Sequence, residues 1–473
     1  MSLTTQSEHM PYIPLRPIIH FTPEVGWMND PNGMVYVDGV YHLFYQANPN
    51  GLSWGDIHWG HATSTDLVRW QYHPPALKPH PELGMVFSGC AVFDAHDTLG
   101  VGAPSIVALF THSTAEGHQV QSLAYSTDKG QTWCEWPDNP IIPNPGLKDF
   151  RDPKVRWHRP TGRWVMVLAA GDRVQIWVSR DLRRWHHSSD FGEGLGAHGG
   201  VWECPDVFPL EYEGRTRWIM LVSLDDGGPN SGSGTQYFVG DFDGERFVAE
   251  PIEQPLWLDY GPDHYAAVTW SGAPTPSTSV LMLGWMNNWK YARTVPATTW
   301  RGAMATPRTL SLKETPEGLR LSALPAEQLE AFRGAHQELP WKPLNESTLK
   351  MSLPEVADVS VDWLPERDDL TVVVTLSGVA GERVVIRVGF EGMSLDRSTV
   401  FAQREGPTLC EAPGQASHGI RLIIDHGSVE VFSLCGRRGL SALVMPSAPF
   451  DTLTVQSEGG VGRVRGEVYA LSG

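Results

Sequence analysis

YHLFYQ at Tyr41–Gln46 returns in kind four more times along the chain: IVALFTH at Ile106–His112, RWVMVLA at Arg163–Ala169, RWIMLVS at Arg217–Ser223 and VLMLGWM at Val280–Met286. The first residues of these runs lie 65, 57, 54 and 63 positions apart. Short apolar runs rich in β-branched and aromatic residues predict buried strands, and their recurrence predicts a repeat architecture. A polar turn leading to an aromatic follows the first four: Ser64-Thr65-Asp66 with Trp70, Ser126-Thr127-Asp128 with Trp133, Ser179-Arg180-Asp181 with Trp185, and Asp241-Phe242-Asp243 with Phe247. The fifth unit matches more loosely, with Trp300 and a strand at Arg308–Leu312.

In front of each run lies another predicted strand, joined to it by a tight turn such as Asp38-Gly39, Thr161-Gly162 or Glu213-Gly214. A unit of a few antiparallel strands cannot bury both faces alone. Radial stacking solves that, and five units predict an all-β fold with a five-bladed β-propeller over residues 1–324. The character then changes. Pro325–Arg333 (PAEQLEAFR) reads as a short helical linker, placed at 325–336. Alternating strands at Leu370–Leu376, Arg383–Val388, Gly419–Ile424 and Ser428–Phe432 predict a C-terminal β-sandwich over 337–473.

The 473 residues are 19% charged and 41% hydrophobic, which suits a globular protein. A net charge of -18 argues against nucleic acid and anionic membrane as partners, and no apolar stretch approaches the length of a bilayer span. Met1–Arg16 lacks an apolar core behind a basic start, so no signal peptide is read there. Five cysteines (Cys90, Cys134, Cys204, Cys410, Cys435) form no CxxC pair, a pattern of free thiols that predicts the cytoplasm, with secretion as the alternative.

The functional signal is positional. Each unit carries a polar cluster at its start: Trp27–Gly33 (WMNDPNG), Phe87-Ser88-Gly89-Cys90, Phe150-Arg151-Asp152-Pro153, Trp202–Asp206 (WECPD) and Gly261–Tyr265 (GPDHY). Taken singly, Asp30-Pro31-Asn32-Gly33 is a plain turn, Arg151-Asp152 a surface ion pair and Glu203-Cys204 a strand start. At equivalent places in five units they are expected to converge on one funnel if each unit's innermost strand starts at the same end of the axis, and gathering several acids there is costly unless chemistry requires it.

At these residues the sequence resembles glycoside hydrolase family 32, the family of invertases, exo-inulinases, levanases and related fructosyltransferases. The resemblance extends through Trp54–His61 (WGDIHWGH), Trp300–Arg308 (WRGAMATPR) and Asp425–Phe432 (DHGSVEVF). It implies a propeller followed by a sandwich, and a retaining hydrolase acting on a terminal β-fructofuranosyl unit of levan, inulin or sucrose. It implies Asp30 as nucleophile, Glu203 as acid/base and Asp152 as transition-state stabiliser. Such chemistry needs two carboxyls about 5–5.5 Å apart, one attacking and one protonating the leaving oxygen. Asp30 must be ionised, and hydrogen bonds are expected to hold its pKa down. Arg151 beside Asp152 is expected to orient these groups and bind the sugar. Asn29, Gln46, Trp54, Ser88, Asp263, Tyr265 and Trp285 look like further contacts to the terminal ring, the aromatics suiting the apolar face of a sugar.

Three departures from the family pattern, Cys90, His264 and Asn287, are expected to alter subsites beyond the terminal fructose. The WMNNW and WRGAM features look closer to the exo-inulinase and levanase branch. No metal site or cofactor is implied: His58, His61 and His73 lack zinc spacing, and there is no phosphate loop or dinucleotide fingerprint. Two rivals share the scaffold, a fructosyltransferase and a non-catalytic carbohydrate-binding propeller. The second has no use for a nucleophile and an acid together. A related arabinan-type hydrolase is disfavoured by Trp27–Gly33.

Overall fold

The computed structural model describes residues 14–345, 348–401, 405–414 and 417–473. Most of the Met1–Arg16 stretch therefore lies outside the described residues. Among the described residues strands dominate, arranged as seven sheets that are antiparallel but for one short parallel pairing. Five precede residue 326. Their first strands are Gly26–Val37, Met85–Asp94, Arg151–His158, Trp202–Tyr212 and Tyr265–Thr269. The apolar runs that opened the sequence reading are the second strand of each sheet: Val40–Asn48, Ser105–Ser113, Arg163–Ala169, Arg215–Leu224 and Ser279–Trp285. Each sits between two neighbours in its sheet and packs both faces against the apolar clusters between sheets, so its sequence is mostly apolar. The polar clusters lie within or directly before the first strands, where the sequence reading set them ahead of a strand.

Turn chemistry is local and repeats. Asp38-Gly39 and Glu213-Gly214 are left-handed at both residues, as two-residue hairpins of the native twist require. After the third strand, Asp66, Asp128, Asp181 and Asp243 each accept backbone N–H bonds from residues two to four places on.

The first strands pack side by side in chain order, and Tyr265–Thr269 returns to Gly26–Val37. Between successive sheets lies one apolar cluster each. Phe44, Trp59 and Phe110 fill the first gap, Leu109, Phe150 and Met166 the second, Val167, Trp202 and Met220 the third. Phe208, Leu221 and Met282 fill the fourth, and Trp27, Leu43 and Trp285 close the circuit. Trp300–Arg301 adds a short parallel pairing to Gly26–Trp27, tying the end of this region to its beginning.

The last two sheets have six strands each, and a single apolar core of residues such as Val359, Val374, Ile386 and Leu422 joins them. The stretch read as a helical linker forms a 3-10 helix at Glu327–Phe332 and passes directly into the strand Arg333–Leu344. Its Leu329 and Phe332 pack with Ile19, Val68, Ile423 and Phe432, so it is glued between the two regions. A buried polar cluster reinforces that seam. His20 bonds Asp425 at 2.8 Å and Glu430 at 2.9 Å, while Arg308 bonds Asp259 at 2.8 Å and Glu430 at 2.9 Å. The DHGSVEVF motif thus acts as a clamp between regions.

Candidate active site

In all five first strands the ladder slips by one residue at the same register: between Met28 and Pro31, Val86 and Gly89, Arg151 and Lys154, Glu203 and Asp206, and Tyr265 and Val268. A bulge re-aims the side chains around it. Here five bulges turn side chains of the polar clusters toward one place. Three bulged residues are left-handed without being glycine: Asp152 (φ 66°), Cys204 (φ 45°) and Ala266 (φ 53°). Such backbone costs about 1–3 kcal/mol per residue and persists where its surroundings over-determine it.

Asp30 is held on one side only. Ser88 Oγ donates to Asp30 Oδ2 at 2.7 Å, and the Cys204 thiol approaches the same oxygen at 3.7 Å. The other oxygen, Oδ1, is buried without a partner. Burial raises the Asp30 pKa to about 6, repulsion from Glu203 adds to it, and the bonds from Ser88, Asn29 and Cys204 offset only part. This corrects the expectation of a depressed value: taking the carboxyl out of water outweighs its hydrogen bonds.

Glu203 is gripped from two sides. Arg151 Nη2 donates to its Oε1 at 2.7 Å and Nε at 3.1 Å, while the Tyr265 hydroxyl donates to Oε2. Arg151, Glu203 and Tyr265 occupy the same register position in three successive sheets, just before the bulge. Arg151 also bonds Asp149 at 2.6 Å. Its guanidinium stays charged, because Glu203 and Asp152 more than reverse the effect of burial. Asp152 accepts the Cys204 backbone N–H at 3.0 Å and lies 4.0 Å from Arg151. Burial lifts its pKa to about 7, Arg151 opposes, and Glu203 and Asp30 add to the rise. The Asp152 backbone N–H is fixed by Thr111 Oγ1 at 3.0 Å, which in turn donates to Gln121 at 2.7 Å.

These groups line one cavity of about 590 Å³. Of the residues singled out from sequence, Asn29, Asp30, Gln46, Trp54, Ser88, Arg151, Asp152 and Glu203 border it. Tyr265 is fully buried and acts from behind through Glu203. Trp285 is buried among Trp27, Tyr265 and Trp289, away from the wall. Asp263 is a correction as a sugar contact. Its oxygens are taken by Tyr291 at 2.6 Å, Arg397 at 2.7 Å and the Leu443 N–H at 2.8 Å. Cys90, His264 and Asn287 are likewise absent from the wall and buried, so the expectation that they shape subsites is also corrected. Sequence reading missed Gln119, Asp149, Asp225, Trp289 and Arg293, which border the cavity. Asp149 stands just ahead of Phe150-Arg151-Asp152, and Trp289 ends WMNNW, so both had a signal within reach.

Residues 20–323 match the model of the glycosyl hydrolases family 32 N-terminal domain. The chain belongs to glycosyl hydrolase family 32. This family 32 enzyme is 43% identical to a levanase of Bacillus subtilis (strain 168), over 95% of this chain and 69% of that protein. It is 35% identical to an extracellular exo-inulinase of Aspergillus awamori, over 97% of this chain and 95% of the other. A crystal structure of exo-inulinase from the same organism superposes with a TM-score of 0.90 at 33% identity, covering 98% of this chain and 99% of that one. The cytoplasmic expectation is overturned here, since relatives of this family 32 enzyme are named extracellular exo-inulinases. The cysteine argument misled in part for a physical reason. Three of the five thiols are buried, and burial pushes Cys90 and Cys410 up to about 12. Thiols kept protonated and out of contact with oxidant need no reducing compartment. That covers the buried three but not the exposed Cys134 or the half-buried Cys435, whose neighbours Ser433 and Arg437 lower it to about 7.

Proposed function

We propose that this chain is a retaining β-fructosidase that releases terminal β-D-fructofuranosyl units from levan, inulin or sucrose, with Asp30 as nucleophile, Glu203 as acid/base and Asp152 as stabiliser. We read the five sheets before residue 326 as a five-bladed propeller around this site and the two six-stranded sheets as a β-sandwich. The observation that carries the mechanism is that Asp30, Asp152 and Glu203 border one cavity, with Ser88 orienting Asp30 through Oδ2. The Asp30 carboxylate attacks the anomeric carbon while Glu203 gives its proton to the leaving oxygen. The glycosidic bond breaks as the fructosyl ester forms. Glu203 then takes a proton from water, the hydroxide adds to the same carbon, and Asp30 leaves as carboxylate. Both carboxyls return to their starting states. Asp152 stands beside the developing positive charge on the ring and accepts hydrogen bonds from sugar hydroxyls. The relatives' names support fructans as the substrate class, and their extracellular naming supports export.

Free fructose released from sucrose, inulin and levan, assayed in parallel for wild type and Asp30→Asn, tests this. Release by wild type that disappears in the variant is expected, and the substrate ranking places the specificity. Larger oligosaccharides in place of fructose would make the chain a transferase. A variant as active as wild type would remove Asp30 from the mechanism.

A further inference from the structure

Asp263 is better placed to hold the site than to touch a sugar. It lies two residues before Tyr265, whose hydroxyl donates to Glu203. The segment around it is docked onto Gly439–Leu443, the edge strand of a C-terminal sheet. Tyr260 N–H donates to Gly439 O at 2.8 Å, Asp263 N–H to Ser441 O at 3.1 Å and Leu443 N–H to Asp263 Oδ2 at 2.8 Å. Into this seam reaches Arg397, from just beyond the Gly392–Asp396 strand of the other C-terminal sheet. Its side chain has no exposure. Nη1 donates to Asp263 Oδ2 at 2.7 Å and to Leu443 O at 2.7 Å, and Nη2 donates to the Tyr291 hydroxyl at 3.1 Å. That hydroxyl donates to Asp263 Oδ1 at 2.6 Å, so the three side chains form a closed triangle. Phe401 packs under the guanidinium at 3.6 Å. Tyr291 belongs to the turn that carries Trp289 and Arg293 to the cavity wall.

A buried guanidinium is costly unless its donors are used, and here they hold two segments of the other region. We propose that Arg397 is a positioning residue of the active site: from the C-terminal sheets it fixes, through Asp263 and Tyr291, the segment that presents Tyr265 to Glu203 and the turn that carries Trp289. On this reading the C-terminal region completes the catalytic geometry, where otherwise it only stabilises the fold. The inference rests on Glu203 being the acid/base group.

The test is a double-mutant cycle on the full chain, with fructose release as readout and circular dichroism to confirm folding. Arg397→Met is expected to lower kcat about ten- to hundredfold, the scale of a displacement near 1 Å at a reacting group, and more than it raises KM. Arg397→Lys recovers most of the loss, because it keeps a cation on Asp263. In a Tyr265→Phe background the effect of Arg397→Met shrinks at least about threefold, since the contact it governs is already gone. Folded Arg397→Met with wild-type kcat, or the same fold loss in both backgrounds, overturns the proposal. If Arg397→Met does not fold, Tyr291→Phe, which removes one hydroxyl and leaves the Arg397–Asp263 pair, carries the same cycle under the same criteria. Loss of activity in Glu203→Gln is a separate measurement: its failure would sink the assignment of the acid/base, whereas failure of the cycle alone leaves that assignment standing.

Discussion

Ser88 hydrogen-bonds Asp30 at 2.7 Å across two sheets and engages only Oδ2, so that the buried Oδ1 is left bare. The bond does two things. It orients the carboxyl, and it offsets part of the burial and repulsion that lift the Asp30 pKa to about 6.

Attack needs the ionised form, and a raised pKa means that protons compete for it in mildly acidic solution. Activity should therefore begin to fall near pH 7, where Asp152 takes up a proton, and fall further as pH drops through about 6, where Asp30 does. In Ser88→Ala a lowering bond is lost, so the acid limb of kcat/KM should move to higher pH, and the variant should lose more activity in acid than near neutrality. A limb that stays in place would show that another group controls it.

Glu203 supplies a proton to the leaving oxygen, a need that disappears when the leaving group departs readily. Glu203→Ala should lose about 10²–10⁴-fold on sucrose or fructan and far less on an activated fructoside. Added azide should restore turnover of the activated substrate by attacking the fructosyl intermediate. Asp30→Ala should be inactive on every substrate. Equal, mild losses in both variants would contradict the division of roles.

His20 sits in the seam between the regions, with Asp425 and Glu430 on its two nitrogens. Burial alone would lower its pKa, but the two carboxylates raise it from 6.5 to about 9. A raised folded value stabilises the protein fully below the unfolded pKa, and that stability drains away as pH rises through about 9. The thermal midpoint should thus decline between about pH 6.5 and 9, with roughly 3 kcal/mol at stake from the size of the shift. His20→Gln should be less stable near neutrality and should flatten this decline; an unaltered slope would locate the titration elsewhere.

Arg308 bridges Asp259 and Glu430 with no solvent exposure. Removing one partner of a buried ion network leaves the others uncompensated, at about 3–5 kcal/mol. Arg308→Met should lower the urea midpoint accordingly. A variant of wild-type stability would mean that the two acids find other partners.

Much of this was legible in the chain itself. Strand runs such as RWVMVLA and turns such as Asp38-Gly39 are local: their periodicity and left-handed residues belong to a few neighbouring positions, and the structure returns them within a residue or two. The three carboxylates were legible because each stands in a motif at an equivalent place in its unit. What tertiary structure alone decided is how those groups behave. Asp263 and Tyr265 are two residues apart in one motif, yet one meets Arg397, 134 positions away, and the other meets Glu203, 62 positions away. The partner of Asp30 comes from 58 positions away and that of Glu203 from 52. Hydrogen bonding and desolvation depend on what surrounds a group in space. The sequence by itself therefore determined which elements form and which acids gather. Only the packing of five bulged strands and the docked C-terminal sheets decided which oxygen is bare, which acid is structural, and that burial outweighs hydrogen bonds at Asp30.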